Sequence, residues 1–354
     1  TPTATDSPIG ITTFQPGLTR NVDPTAGPTF QGGAGFTSQN WLTLPKGTTT
    51  DRMPVFGGVN ATSARGIFAG SRDSPATAKD NIDYITISTL GNATDFGNLT
   101  QATREFSACS SSTRGVMGGG FVSPGVESNV MQYLTIATAG NAQDFGDLIT
   151  ATRGTGGASS STRGLFSGGY APSNVNTIQF ITIQSTGNTQ DFGDLTDTFR
   201  YHDGMNSTTR AVFAGGGAPD NSATDKIDYV SIPSTGNAVD FGDLLTSGIY
   251  ANANFSNSTR GIIGSIGSTN TIEFITIATL GSCQNFGDTL AAGDLKQGTC
   301  SSTRGVIAGG RTPSQSNTIQ YITIATTGDA LEFGDLNFTQ DSGAACSNGH
   351  GGLG

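Results

Sequence analysis

An all-β repeat architecture is what this sequence predicts, and three observations predict it. A Ser-Thr-Arg-Gly phrase recurs at near-fixed spacing, an alternating apolar and polar run follows each copy, and each unit ends on Asp-Phe-Gly-Asp-Leu or a close variant. Full copies of the phrase centre on Arg114, Arg163, Arg260 and Arg304, weaker ones on Arg65 and Arg210, and successive arginines stand 44 to 50 residues apart. A period of that length holds one supersecondary unit, which must stack on its neighbours to bury its apolar face.

The elements follow in order. The glycine-bearing run after each arginine is small and apolar, as a strand in a crowded interior must be. After a loop of variable length comes a run such as Ile178-Gln-Phe-Ile-Thr-Ile183 or Ile319-Gln-Tyr-Ile-Thr-Ile324. Its period of two over β-branched and aromatic residues marks a strand with one buried face. A turn, usually Gly-Asn, leads into Phe96, Phe145, Phe192, Phe241, Phe286 and Phe333, which are expected to pack between sheets. A segment such as Ala102-Thr-Arg104 or Ala151-Thr-Arg153 then leads to the next unit.

Four short strands per unit, with no 3.6-residue apolar period, predict the blades of a β-propeller, whose radial closure protects the sheet edges. Counting Gly349-His350-Gly351-Gly352 as a seventh copy favours seven blades, with six as the alternative. On the seven-blade reading, residues 337–354 begin a blade that Asn40-Trp41-Leu42-Thr43-Leu44-Pro45 completes, so residues 29–354 close by pairing strands from the two ends. Residues 1–28, rich in Thr, Pro and Gly, read as an extended arm or linker.

Composition narrows the function. With 12% charged residues, a net charge of −10 and no Lys/Arg cluster, nucleic acid is not an expected partner. No apolar run reaches the roughly 18 residues of a membrane helix, so membrane insertion is not expected either. The chain opens on Thr rather than Met, so an initiator residue, a leader or a longer upstream segment is expected to be missing from it. Cys109, Cys283, Cys300 and Cys346 form no CxxC pair and read as small buried thiols. Cys300 and Cys346 precede Arg304 and His350 by four residues each, which makes a bridge between adjacent blades the alternative.

His202 and His350 are the only histidines, and no HExxH, GxSxG or phosphate-loop motif occurs, so no catalytic residue, cofactor or metal is expected. The Asp-x-x-Asp of the Phe-Gly-Asp element could hold calcium, yet such aspartates equally satisfy turn amides. The repeated arginines read as scaffold, pairing with Asp147, Asp194, Asp243, Asp288 or Asp335. A scaffold residue recurs in every blade, whereas a ligand site draws different residues from each.

An Arg opening the unit, a small-residue strand, an apolar strand ending in Gly118-Gly119, Gly168-Gly169, Gly215-Gly216 or Gly309-Gly310, and an aromatic-bearing strand together resemble kelch repeats over residues 52–354. The fourth-strand Trp of that pattern is absent from the regular units, and Phe stands in its neighbourhood. The phrasing TRGVIAGG, NTIQYITIATTG and FGDL also resembles repeats of virion structural and tail-fibre-like proteins of marine tailed phages.

The loops after the glycine pairs differ in every copy. They make Arg72, Phe121, Tyr170, His202, Asp220 and Arg311 the candidate ligand-binding residues of one rim. The function expected is a non-enzymatic binding protein, a tail fibre or capsid decoration of a phage virion. Its expected partners are a host cell-surface glycan or protein, or other virion subunits, and its expected location is the virion or the extracellular space. The alternatives are a carbohydrate-active enzyme on a propeller scaffold and a secreted or cell-surface adhesin.

Overall fold

A computed structural model describes residues 18–23, 27–32, 64–73, 77–311 and 313–353. The chain divides into two compact units, Thr1–Ala61 and Thr62–Gly354. In the first, Leu18–Asp23, inside the segment read from sequence as an extended arm, pairs antiparallel with Gly27–Gly32, which runs past its end. The strand expected at residues 40–45 lies outside the described residues.

The second unit is an all-β propeller of four-stranded antiparallel blades. Blade 2 shows the pattern from axis to rim: Ser107–Ser110, Arg114–Gly118, Val130–Thr135 and Gln143–Asp147. The innermost strands of blades 3 to 6 are Gly156–Ser159, Asp203–Asn206, Ala251–Ser256 and Gln297–Cys300. Blade 1 is assembled from both sides of the unit. Arg65–Asp73, Thr77–Thr86 and Thr94–Asn98 are its outer three strands, and Ala344–Ser347 is its innermost.

Among the described residues the ring closes with six blades rather than the seven that the repeat count favoured. Six backbone hydrogen bonds run from the turn glycine of one blade to the outer-strand phenylalanine of its neighbour. Gly140, Gly187, Gly236, Gly281 and Gly328 donate to the Phe96, Phe145, Phe192, Phe241 and Phe286 carbonyls, and Gly91 donates to Phe333, which returns to blade 1. The seventh glycine copy is not a strand: residues 351–353 form a short 3-10 turn. The miscount arose at the closure, because Ala344–Ser347 is the innermost strand of blade 1 and not the start of a seventh blade.

The same three devices recur in every blade, two of them reaching to a neighbouring blade. The repeated arginine lies over the aromatic ring of its own blade's third strand, as Arg114 does over Tyr133 at 4.3 Å from the ring centre. Its Nη1 then donates to a carbonyl of the next blade: Arg65 to Ile136, Arg114 to Ile183, Arg163 to Ile232, Arg210 to Ile277, Arg260 to Ile324 and Arg304 to Ile87. The arginines are therefore scaffold, but their partners are these carbonyls and not the expected aspartates. Second, the outer-strand phenylalanine meets the same third-strand ring edge-on, for example Tyr133 and Phe145 at 6.0 Å. Third, the glycine after that phenylalanine abuts the neighbouring turn; a Cβ on Gly97 would lie 2.6 Å from the Gly140 carbonyl oxygen.

Around the axis runs a belt of small polar residues. Ser110, Ser159, Ser256, Cys300 and Ser347 donate their side-chain protons to the carbonyls of Ser347, Ser110, Asn206, Ser256 and Cys300 respectively. Asn206 occupies the sixth place and instead accepts from the Ser159 amide through its Oδ1. All four cysteines are buried and free. Cys346 pairs with Ile67 and Cys300 with Gly305, so the two thiols sit one register step apart and are not equivalent.

Candidate functional site: the loop face

The connection entering each blade and the loop between its second and third strands meet on one face of the propeller. They touch as short bridges: Arg104 opposite Phe121, Arg153 opposite Tyr170, Arg200 opposite Gly217, Asp294 opposite Arg311 and Asp341 opposite Arg72. The bridging position is Arg in blades 2, 3 and 4 and Asp in blades 6 and 1. This break in the repeat divides the face into two arcs of different chemistry.

On the first arc, arginines and aromatic rings alternate. Arg104 and Arg153 lie 4.7 and 4.6 Å from the Phe121 ring centre. Arg153 and Arg200 lie 5.0 and 5.3 Å from that of Tyr170. Arg200 also reaches the Tyr201 ring at 5.4 Å, and Tyr201 in turn packs on Tyr250 with centroids 5.0 Å apart. The result is a ladder across three blades in which each ring fixes the plane of the guanidinium beside it.

Glu105 anchors the inner side of the ladder. It pairs with Arg104, accepts from Arg153 Nη1 at 3.4 Å and accepts from the Tyr201 hydroxyl at 2.8 Å. Burial and the neighbouring carboxylate push the Tyr201 phenol up, so it stays a hydrogen-bond donor. Arg153 has a second ion pair, to Glu127 at 3.5 Å. Arg200 differs from both in that no carboxylate pairs with it among the described residues: its Nη2 meets Asn221, and its Nε, like that of Arg153, is buried without a hydrogen-bond partner.

On the second arc the charges are consumed internally. Arg72 forks onto Asp341 with bonds of 2.8 and 2.9 Å, and Gln315 donates to the same carboxylate at 3.2 Å. Arg311 pairs with Asp294 at 3.2 Å. No protein-family model matches the chain, and no curated protein matches it.

The six residues expected on the rim therefore separate. Phe121 and Tyr170 come together on the ladder. Arg72 and Arg311 share the face but are tied to buried aspartates. Asp220 is exposed in the loop whose Asn221 touches Arg200, and Ser222 holds its carboxylate with bonds of 2.6 and 2.9 Å. His202 is a correction: it is 1% exposed, lies between the Phe199 and Phe213 rings and shares a 2.8 Å hydrogen bond with Ser167. Burial holds its pKa down to about 4, so it is a neutral interior group and not a rim ligand. It enters the innermost strand just before Asp203, where the strand's alternation turns the side chain into the blade.

Sequence reasoning passed over Arg104, Arg153 and Arg200, and one signal could have found them. They hold the same place in three units, where the other units carry Asp294 or Asp341.

Proposed function

We propose that this protein is a non-enzymatic recognition module of a virion or of the extracellular space, which binds a cell-surface glycan or a partner protein through the blade 2 to 4 arc of its loop face. One observation carries the reading: the Arg104, Phe121, Arg153, Tyr170, Arg200 ladder breaks the sixfold repeat. Everything the ring needs for closure recurs in every blade, so residues that differ among blades and stand half-buried on one rim are free to serve a ligand. Aromatic and arginine side chains already fixed by their neighbours have little entropy left to lose when they dock. The likeness of the repeat phrasing to tail-fibre-like phage proteins supports a place at a host-facing surface, as a tail fibre or a capsid decoration.

The test is binding of the purified protein to a glycan array and to intact candidate host cells, beside a Phe121→Ser, Tyr170→Ser variant. Saturable binding that this variant loses is the expected result. Binding to neither surface points instead to a scaffold subunit whose partner is its own assembly.

A further inference from the structure

We infer that the Arg200 end of the ladder is a subsite for the carboxylate of an acidic glycan, of the uronate or sialate type. This rests on the recognition reading above and names its ligand class. Three features of the site converge on an anion. Arg200 has no carboxylate partner among the described residues, whereas Arg72, Arg104, Arg153 and Arg311 each have one. Its Nε is buried and carries an unused proton. The Tyr170 and Tyr201 rings on which it lies fix the guanidinium plane, so its remaining N–H groups are held in preorganised directions. An unused cation of this kind is conspicuous in a chain of net charge −10.

The surroundings favour a sugar acid over a bare anion. Tyr170, Tyr201 and Tyr250 supply partly buried amphipathic edges around the cation. The adjoining loop offers Asn221, and Asn174 reaches across to the Gly217 carbonyl at 2.9 Å. Amides and phenols of this kind match the hydroxyls of a pyranose while the guanidinium takes its carboxylate.

The experiment is titration calorimetry of the intact protein with oligogalacturonate, oligosialic acid and neutral maltohexaose, repeated on Arg200→Gln and Arg200→Lys. The expected result is binding of one or both acidic oligosaccharides, no binding of maltohexaose, and a loss of about tenfold or more in Arg200→Gln, the size of one charge-assisted hydrogen-bond pair. Arg200→Lys should recover only part of the loss, since an ammonium cannot form the flat fork. Equal binding of neutral and acidic sugars, or full binding by Arg200→Gln, overturns the carboxylate subsite while leaving the recognition reading intact. Tighter binding of poly-glutamate than of either acidic sugar overturns the glycan assignment. Absence of binding to every sugar overturns the inference, and only absence of cell binding as well counts against the recognition reading.

Discussion

The Oδ1 of Asn348 accepts a 2.7 Å hydrogen bond from the backbone amide of Arg65, across 283 residues of chain. In the other five blades the equivalent bond lies within one covalent hairpin: Ser111 to Arg114, Ser160 to Arg163, Ser207 to Arg210, Asn257 to Arg260 and Ser301 to Arg304. The same turn chemistry thus joins two distant segments where the peptide connection is missing. Asn348→Ala should cost about 1 kcal/mol, seen as a fall of a few degrees in Tm. Ser301→Ala should cost less, because its hairpin keeps the two strands together. Equal losses by differential scanning calorimetry would contradict a latch.

Beyond Asn348 the tail folds back over the axis. His350 Nε2 donates to the Ser110 carbonyl at 2.8 Å, while Nδ1 accepts from the Gly352 amide at 3.1 Å and from Asn206 Nδ2 at 3.0 Å. That arrangement requires the neutral ring, and burial holds its pKa down to about 4 against an ordinary 6.5. The unfolded chain therefore takes up this proton first, so the contribution of His350 is complete above pH 6.5 and is lost as pH falls through 4. His202 acts in the same direction. Asp203 opposes them, since burial raises its carboxyl to about 7 and its contribution falls as pH rises from 3.8 towards that value. Thermal melts from pH 4 to 7 should show a flatter acid limb in His350→Gln than in the parent protein. An unchanged acid limb would remove His350 from this account.

Arg163→Lys removes the flat group that spans the Phe180 ring at 4.5 Å and the Ile232 carbonyl at 2.8 Å. A lysine can make one contact or the other, so a loss of about 1–2 kcal/mol is expected by urea denaturation. The same substitution at Arg114 should give a similar value, because the interlock repeats.

A ring of buried acceptors on the third strands takes amides of the preceding blade. Gln132, Gln179 and Gln320 serve Thr100, Ile149 and Leu290, while Asp83, Asp228 and Glu273 serve Asn337, Thr196 and Leu245. Burial raises the pKa of all three carboxyl groups, and Glu273 keeps one oxygen without a hydrogen bond. Glu273→Gln keeps the acceptor and removes the charge, so Tm at pH 8 should rise by a few degrees, equivalent to about 1 kcal/mol. A lower Tm would show that the charge itself is needed.

Burial pushes all four thiols up, Cys300 and Cys346 to about 12. Thiolate is the reactive form, so a disulfide reagent should label none of them in the native protein and all four after unfolding in urea. Rapid native labelling of Cys300 would mean that the axial belt opens.

The repeat, the strands within it, the all-β class and the propeller were legible in sequence, because period-two alternation and fixed turn residues are local properties. The scaffold role of the arginines was legible too, since it followed from their recurrence, but their partners were not. Arg114 finds Ile183 in another blade, and no local pattern encodes a contact across 69 residues. Of the site, Phe121 and Tyr170 were read from loop variation, whereas the arginines between them were hidden in a segment that looked like part of the repeat.

Sequence alone determined what each unit is: a four-stranded, edge-protected sheet with an aromatic and arginine interlock. Only the tertiary structure decided how many units make the ring and where each begins. A repeat has no intrinsic phase, so the small-residue strand before each arginine could close one unit or open the next. Pairing of Ala344–Ser347 with Arg65–Asp73 settles that phase and yields six blades. The same closure separates Arg200, which has no carboxylate partner among the described residues, from the ion-paired Arg72 and Arg311, because the pairing of a charge depends on which distant side chain the ring brings beside it.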